Sequence, residues 1–173
     1  NGASAVYAGG YNTCAVVDGV AKCWGENIYG QLDSLNNFEG TSAIVGGYGF
    51  NCALAASAVV CWGENPYGQT NVPIDLVNPT QLEAGTRHAC ALDDSGVHCW
   101  GYNNRGQTDV PTNLINPTSI TAGDEFTCAI TDEGVRCWGY SVVVNATPVD
   151  LINPSSIAAG KDFVCALTDA GVR

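Results

Sequence analysis

The sequence predicts an all-β fold, a β-propeller, on three observations: a fixed 38-residue repeat, strand-length apolar runs broken by Gly and Pro, and no apolar stripe at helical spacing. The repeat is plainest in CWGENIYGQ (23–31), CWGENPYGQ (61–69) and CWGYNNRGQ (99–107). The first cysteine of each unit is Cys14, Cys52, Cys90, Cys128 or Cys165, giving spacings of 38, 38, 38 and 37. Gly9, Gly47, Gly85, Gly123 and Gly160 precede these cysteines at a constant offset, as do Val6, Ile44, Leu82, Ile120 and Ile157. A unit of that length holding three or four short antiparallel strands is the size of one propeller blade. A β-coil solenoid would repeat faster, and a sandwich would not repeat.

The expected organisation is one domain, 1–173, with units at about 4–41, 42–79, 80–117, 118–154 and, in part, 155–173. Each unit opens with a strand closed by glycine, as in SITAG (119–123). A hairpin follows, as in TCAITDEGVRCWG (127–139), two apolar runs around an acidic turn. In the first unit the turn is Asp18-Gly19 between Val17 and Val20, a strong two-residue hairpin signal. The second unit has Ala55-Ala56-Ser57-Ala58 there, which weakens the expectation of a tight turn. Connections such as VPIDLVNPTQLEAG (72–85) and VPTNLINPTSITAG (110–123) lead to the next unit, and TPVDLINPSSIAAG (147–160) repeats them more loosely. The fourth unit continues CWGYSVVVNATPVD, losing the Asn-x-x-Gly-Gln segment and one residue.

Eight of the nine cysteines pair at identical spacing: Cys14 with Cys23, Cys52 with Cys61, Cys90 with Cys99, and Cys128 with Cys137. The two-residue Asp18-Gly19 turn places Cys14 directly opposite Cys23, and a four-residue turn, Thr131 to Gly134, keeps the same facing for Cys128 and Cys137. Opposed residues at a non-hydrogen-bonded site lie about 4.5 Å apart at Cα, within disulfide reach. One cross-strand disulfide per unit is expected, which points to an oxidising compartment. Zinc sites need shorter Cys hooks gathered in fours. Cys165 has no partner in the sequence; in the repeat its partner would follow Arg173, as expected if the chain is cut from a longer one.

A formal charge of −11 with six scattered basic residues argues against a nucleic-acid partner. No apolar run approaches 18 residues, so no membrane-spanning helix is expected, and the opening NGASAVYAGG has no basic-then-apolar leader. Asp93-Asp94-Ser95-Gly96 lacks the alternating spacing of a calcium loop and reads as a turn. Neither a metal nor a cofactor is expected. Asn145-Ala146-Thr147 is a glycosylation sequon.

AGTRHACALDDSGVHCWGYNNRGQ, residues 84–107, resembles the regulator of chromosome condensation repeat, roughly A-G-x-x-H-(T/S)-C-A-L…G-x-V-x-C-W-G-x-N-x-x-G-Q. The resemblance implies a β-propeller, commonly of seven blades, of which this chain would supply about four and a half. The namesake is a nuclear exchange factor for a small GTPase; acidity and paired cysteines disfavour that role here. GQTNVP (68–73) and GQTDVP (106–111) are similar to short-repeat secreted bacterial members, including a β-lactamase inhibitory protein.

No catalytic constellation is visible, and the chain is not expected to be an enzyme. If the strand ending in Ala-Gly runs up, the loops after Ala-Gly and after Trp-Gly share one end of the propeller. The Ala-Gly loops vary most between units, the pattern of a constant scaffold with a binding face. The candidate face is Tyr11, Tyr48, Phe50, Arg87, His88, Glu125, Phe126, Asp162 and Phe163. Aromatics and Arg dominate protein-binding hot spots. Packing between blades competes for Phe50, Phe126 and Phe163, and Trp24, Trp62, Trp100 and Trp138 read as inter-blade core. The expected role is a secreted or cell-surface propeller that binds another protein. The rivals are a self-associating adhesin or filament subunit and a carbohydrate-binding module.

Overall fold

The computed structural model describes residues 2–33, 39–140, 142, 144, 151, 153–169 and 171–173; Asn145 lies outside them. The described residues form five three-stranded antiparallel sheets in strict sequence order. They are β1 (Ala3–Ala8), β2 (Asn12–Val17) and β3 (Val20–Gly25); β4 (Thr41–Gly46), β5 (Phe50–Ala55) and β6 (Ala58–Gly63); and β7 (Gln81–Ala84), β8 (His88–Asp93) and β9 (Gly96–Gly101). β10 (Ser119–Ala122), β11 (Phe126–Thr131) and β12 (Gly134–Gly139) follow, then β13 (Ser156–Ala159), β14 (Val164–Thr168) and the short β15 (Gly171–Val172). The inner strands β1, β4, β7, β10 and β13 neighbour one another in turn. Their Ala-Gly ends meet around a groove of about 350 Å³.

Each hairpin is set by its turn. Asp18 (φ 53°) and Gly19 (φ 75°) are both left-handed, which matches the twist of the flanking strands. Ala56 (φ 47°) and Ser57 (φ 68°) take the same conformation, with Ala55 opposite Ala58. The hairpin therefore forms in the second unit without a turn-favouring sequence. Its register is held a few residues away, where Cys52 faces Cys61. All four expected disulfides are present, with Cα separations of 4.0 to 4.1 Å. Cys165 is free; with Leu167 opposite Val172, the register places it opposite the position after Arg173.

The core lies between sheets rather than within them. Cys14 and Val16 pack with Ile44, Ala53 and Trp62. Phe50, Cys52 and Leu54 pack with Leu82, Ala89, Ala91 and Trp100. Cys90 and Leu92 pack with Ile120, Ala129 and Trp138. Three of the four tryptophans are thus inter-sheet core, while Trp24, in the first sheet, is 53% exposed.

Polar groups stitch the layers. The Trp62, Trp100 and Trp138 indoles each donate, at 3.0 Å, to the carbonyl of the preceding unit's glutamine, Gln31, Gln69 or Gln107. The Gln81 amide donates to the Ile120 carbonyl (2.9 Å) and accepts from its N–H (3.0 Å). The Tyr7 hydroxyl donates to the Gly46 carbonyl, and burial is the main force pushing that phenol up to about 12.

Candidate protein-binding face

The nine-residue repeat explains one end of the fold. In Asn-x-x-Gly-Gln the asparagine braces its own loop. The Asn27, Asn65 and Asn103 carbonyl oxygens accept from the backbone N–H groups of Leu32, Thr70 and Thr108, while their amides donate to Asp33, Asn71 and Asp109. The glutamine is buried, and its side-chain oxygen accepts from the backbone N–H of Tyr29, Tyr67 or Arg105. Side chains at 29, 67 and 105 are thereby held outward on a rigid turn.

The Trp-Gly glycine brings this turn against the Ala-Gly loop. Gly25, Gly63, Gly101 and Gly139 have φ between 101° and 117°. A Cβ there would lie 2.4 to 2.7 Å from the carbonyl oxygens of Tyr11, Gly49, Arg87 and Glu125, so only glycine fits. Those carbonyls accept from the next backbone N–H: Glu26 to Tyr11, Glu64 to Gly49, Tyr102 to Arg87 and Tyr140 to Glu125, at 2.8 to 3.0 Å. The two loop sets share one end, as expected from strand direction.

Of the nine candidates, the structure removes three. Phe50 and His88 are fully buried and Phe126 is 1% exposed. The chain bends at Ala-Gly, so this side chain turns inward and its ring lies on the preceding glycine. A Cβ on Gly47, Gly85 or Gly123 would come within 2.4 Å of the Phe50, His88 or Phe126 ring. His88 Nε2 lies 3.0 Å from Thr127 Oγ1, and burial pushes its imidazole down to about 4. It is a neutral packing residue. Phe163 lies on Gly160 in the same way but is 61% exposed, in the last sheet described.

The remaining candidates join residues that the sequence reading passed over. Tyr11 packs edge-on against Tyr48 with centroids 5.3 Å apart, and Tyr29 lies 6.4 Å from Tyr48. Arg87 sits over Tyr48 (5.8 Å) and Tyr67 (5.5 Å), and Tyr67 meets Tyr102 at 4.8 Å. Farther along, Arg105 sits over Tyr140 (5.5 Å) and pairs with Glu125 (3.3 Å). Asp162 is exposed, and its neighbour Lys161 lies 3.9 Å from Asp124. A belt of tyrosines and arginines thus crosses four consecutive sheets. Tyr29, Tyr67, Tyr102 and Arg105 occupy varying positions of an otherwise constant nine-residue text, and Tyr140 follows Trp-Gly as Tyr102 does, which is the signal that marks them.

The opposite end differs. Asp93 accepts from the N–H groups of Val77, Ser95 and Gly96 and from the Ser95 hydroxyl, at 2.7 to 3.0 Å. Burial works against its charge, but the bonds from Val77 and Ser95 and the nearby His98 hold the carboxyl below its usual range. Asp93-Asp94-Ser95-Gly96 is a self-satisfied turn, and no group of three or more metal-ligating side chains occurs among the described residues.

Residues 80–107 and 118–142 match the regulator of chromosome condensation (RCC1) repeat. No curated protein matches the chain. Among solved structures, the ectodomain of the Physcomitrella patens receptor kinase CR4 is 29% identical with a TM-score of 0.76, over 96% of this chain and 47% of that one. The CRINKLY WD40 ectodomain of the Arabidopsis thaliana receptor kinase ACR4 is 28% identical with a TM-score of 0.79, over 96% and 68%. Prp20p of Saccharomyces cerevisiae, whose structure was described with its binding to Gsp1p and histones, is 21% identical with a TM-score of 0.75, over 95% and 54%. The chain spans about half the length of the moss ectodomain and of Prp20p. Five successive sheets and these likenesses make the fold of this chain a β-propeller, within which residues 80–107 and 118–142 match the regulator of chromosome condensation (RCC1) repeat.

Proposed function

We propose that the chain is a non-catalytic, extracellular or cell-surface propeller segment that binds another protein through its loop end. The observation that carries this reading is the tyrosine–arginine belt: large, rigid side chains held outward on a backbone braced by buried glutamines. Tyr gives large contact area at low entropic cost, and Tyr and Arg are both typical anchors of protein interfaces. Four disulfides and two receptor ectodomains among the neighbours support an extracellular setting. GQTNVP and GQTDVP support kinship with short-repeat secreted bacterial members.

The test is a binding screen of the purified protein against extracellular and cell-surface proteins. A partner lost tenfold or more in Arg87→Ala and Tyr102→Ala, but retained in Asp94→Ala and Asp132→Ala at the turn end, supports the reading. Partners lost only in the turn-end variants, or binding to glycans in place of proteins, would sink it.

A further inference from the structure

The inter-sheet junctions along the belt share a plan but differ in one ingredient. At each, the side chain two residues before the buried glutamine meets the Ala-Gly loop of the next sheet. The facing pairs are Tyr29 with Gly49, Tyr67 with Arg87, and Arg105 with Glu125. The second junction seats the Arg87 guanidinium against Tyr67 and Tyr48. The third seats Arg105 against Tyr140 and on the Glu125 carboxylate. Both therefore place a guanidinium on tyrosine rings, as expected from the attraction of cations to π faces.

The first junction has rings and carboxylates, but among the described residues no guanidinium sits over Tyr11 or Tyr29, and Arg87 reaches only its Tyr48 ring. Gly49 presents no side chain to Tyr29; a Cβ on it would lie 2.8 Å from that ring and 3.2 Å from Glu64 Oε2. Tyr11 and Tyr29 both stand beside Tyr48, and the Glu26 N–H is bonded to the Tyr11 carbonyl. The electrostatics of Tyr11, then of Tyr29, and more weakly of Glu26, raise the Tyr48 phenol above its usual range. Glu64 Oε2 is buried without a hydrogen-bond partner, and neither Glu26 nor Glu64 has an ion-pair partner among the described residues. A buried carboxylate oxygen without a donor is costly. The Arg87 guanidinium lies over Tyr48 and Tyr67, with its Nε also buried without a hydrogen-bond partner.

We propose that the junction of the first two sheets is a pocket for an arginine side chain of the protein partner, with the guanidinium on Tyr29 and Tyr11 and hydrogen-bonded to Glu64. This rests on the loop-end reading above and gives the partner its chemistry: a basic segment, which the chain's net charge of −11 attracts at long range. Arginine fits better than lysine because its planar fork stacks on rings and donates to a carboxylate at once.

The test uses tyrosine-ring-labelled protein titrated with acetyl-Gly-Arg-Gly-amide and with the same peptide carrying neutral citrulline. Saturating shifts at Tyr11, Tyr29 and Tyr48 are expected, with the citrulline peptide at least fivefold weaker. Glu64→Gln should weaken the arginine peptide at least threefold while leaving the citrulline peptide unchanged and without lowering the melting temperature, and Tyr29→Ala should weaken the arginine peptide roughly two- to fivefold. Equal binding of both peptides, shifts confined to Tyr67, Tyr102 and Tyr140, or no shift would overturn the pocket. A protein partner whose binding falls in Arg87→Ala but survives both Glu64→Gln and Tyr29→Ala removes the pocket and keeps the loop-end reading. One that binds only at the turn end overturns both.

Discussion

The two ends of the propeller are made by the same repeat yet spend their side chains differently. At the turn end, polar groups satisfy one another: Asp93 takes four hydrogen bonds, Asn78 donates to Asp94 and Asn116 to Asp132. At the loop end, the equivalent bracing is carried inside by Gln31, Gln69 and Gln107. The side chains left facing outward include the tyrosine–arginine belt, set among acidic groups such as Glu125 and Asp162. A scaffold that hides its polar bracing leaves its surface positions free to vary, and it is on the loop end that the units diverge.

The strongest way to break this arrangement is to remove an inter-sheet anchor. Trp100→Ala deletes a buried indole and its bond to the Gln69 carbonyl, leaving a cavity beside Phe50 and Leu82. A loss of about 3 to 5 kcal/mol is expected from denaturant unfolding. If the core is shared between sheets, several sheets should unfold together. Next in size, Asp93→Ala strands the Val77, Ser95 and Gly96 donors and should cost about 2 to 3 kcal/mol. Loop-end binding should be unchanged. A variant that also lost binding would show the two ends to be coupled.

His88 sharpens the comparison from within the loop end. Its folded-state pKa of about 4 lies below the unfolded value of about 6.5. The unfolded chain therefore takes up the proton first, and stability falls as pH drops from about 6.5 to about 4. His88→Phe installs the residue found at positions 50 and 126. It should remove that dependence, gaining about 2 kcal/mol relative to the parent protein at pH 5 and little at pH 8, as read from melts at several pH values. Glu83 has the opposite sign. Burial raises its carboxyl to about 7, so its unfavourable contribution grows as pH rises from about 4.5 through 7, and Glu83→Gln should help most above pH 7.

The parts of this molecule that depend on facing within one hairpin were legible in its sequence. Equal spacing of Cys14 and Cys23 around Asp18-Gly19 gives the register, and register gives the disulfide. Position 88 was only half legible, because a variable residue between Gly85 and Cys90 reads equally as loop surface or as packing between blades, and only the bend at Ala-Gly turns it inward. The tyrosine belt was hidden for another reason. Tyr48 and Arg87, or Arg105 and Tyr140, meet only because one sheet is rotated against the next, and no spacing along the chain encodes that rotation.

The smallest expected effect is the most diagnostic of how the belt works. Tyr67 and Tyr102 pack edge-on at 4.8 Å, with Tyr67 exposed and Arg87 over its ring. A double-mutant cycle with Tyr67→Ala and Tyr102→Ala should give a stability coupling near 0.5 kcal/mol, the low end for aromatic pairs because solvent reaches both rings. The same cycle read by partner affinity should give a larger coupling, since a partner that buries the pair excludes water from both at once. Equal couplings in the two readouts would mean the rings pack for the fold and not for a ligand. A larger one in binding would assign the belt's order to recognition, because rings already held against one another and against Arg87 lose little freedom when a partner arrives.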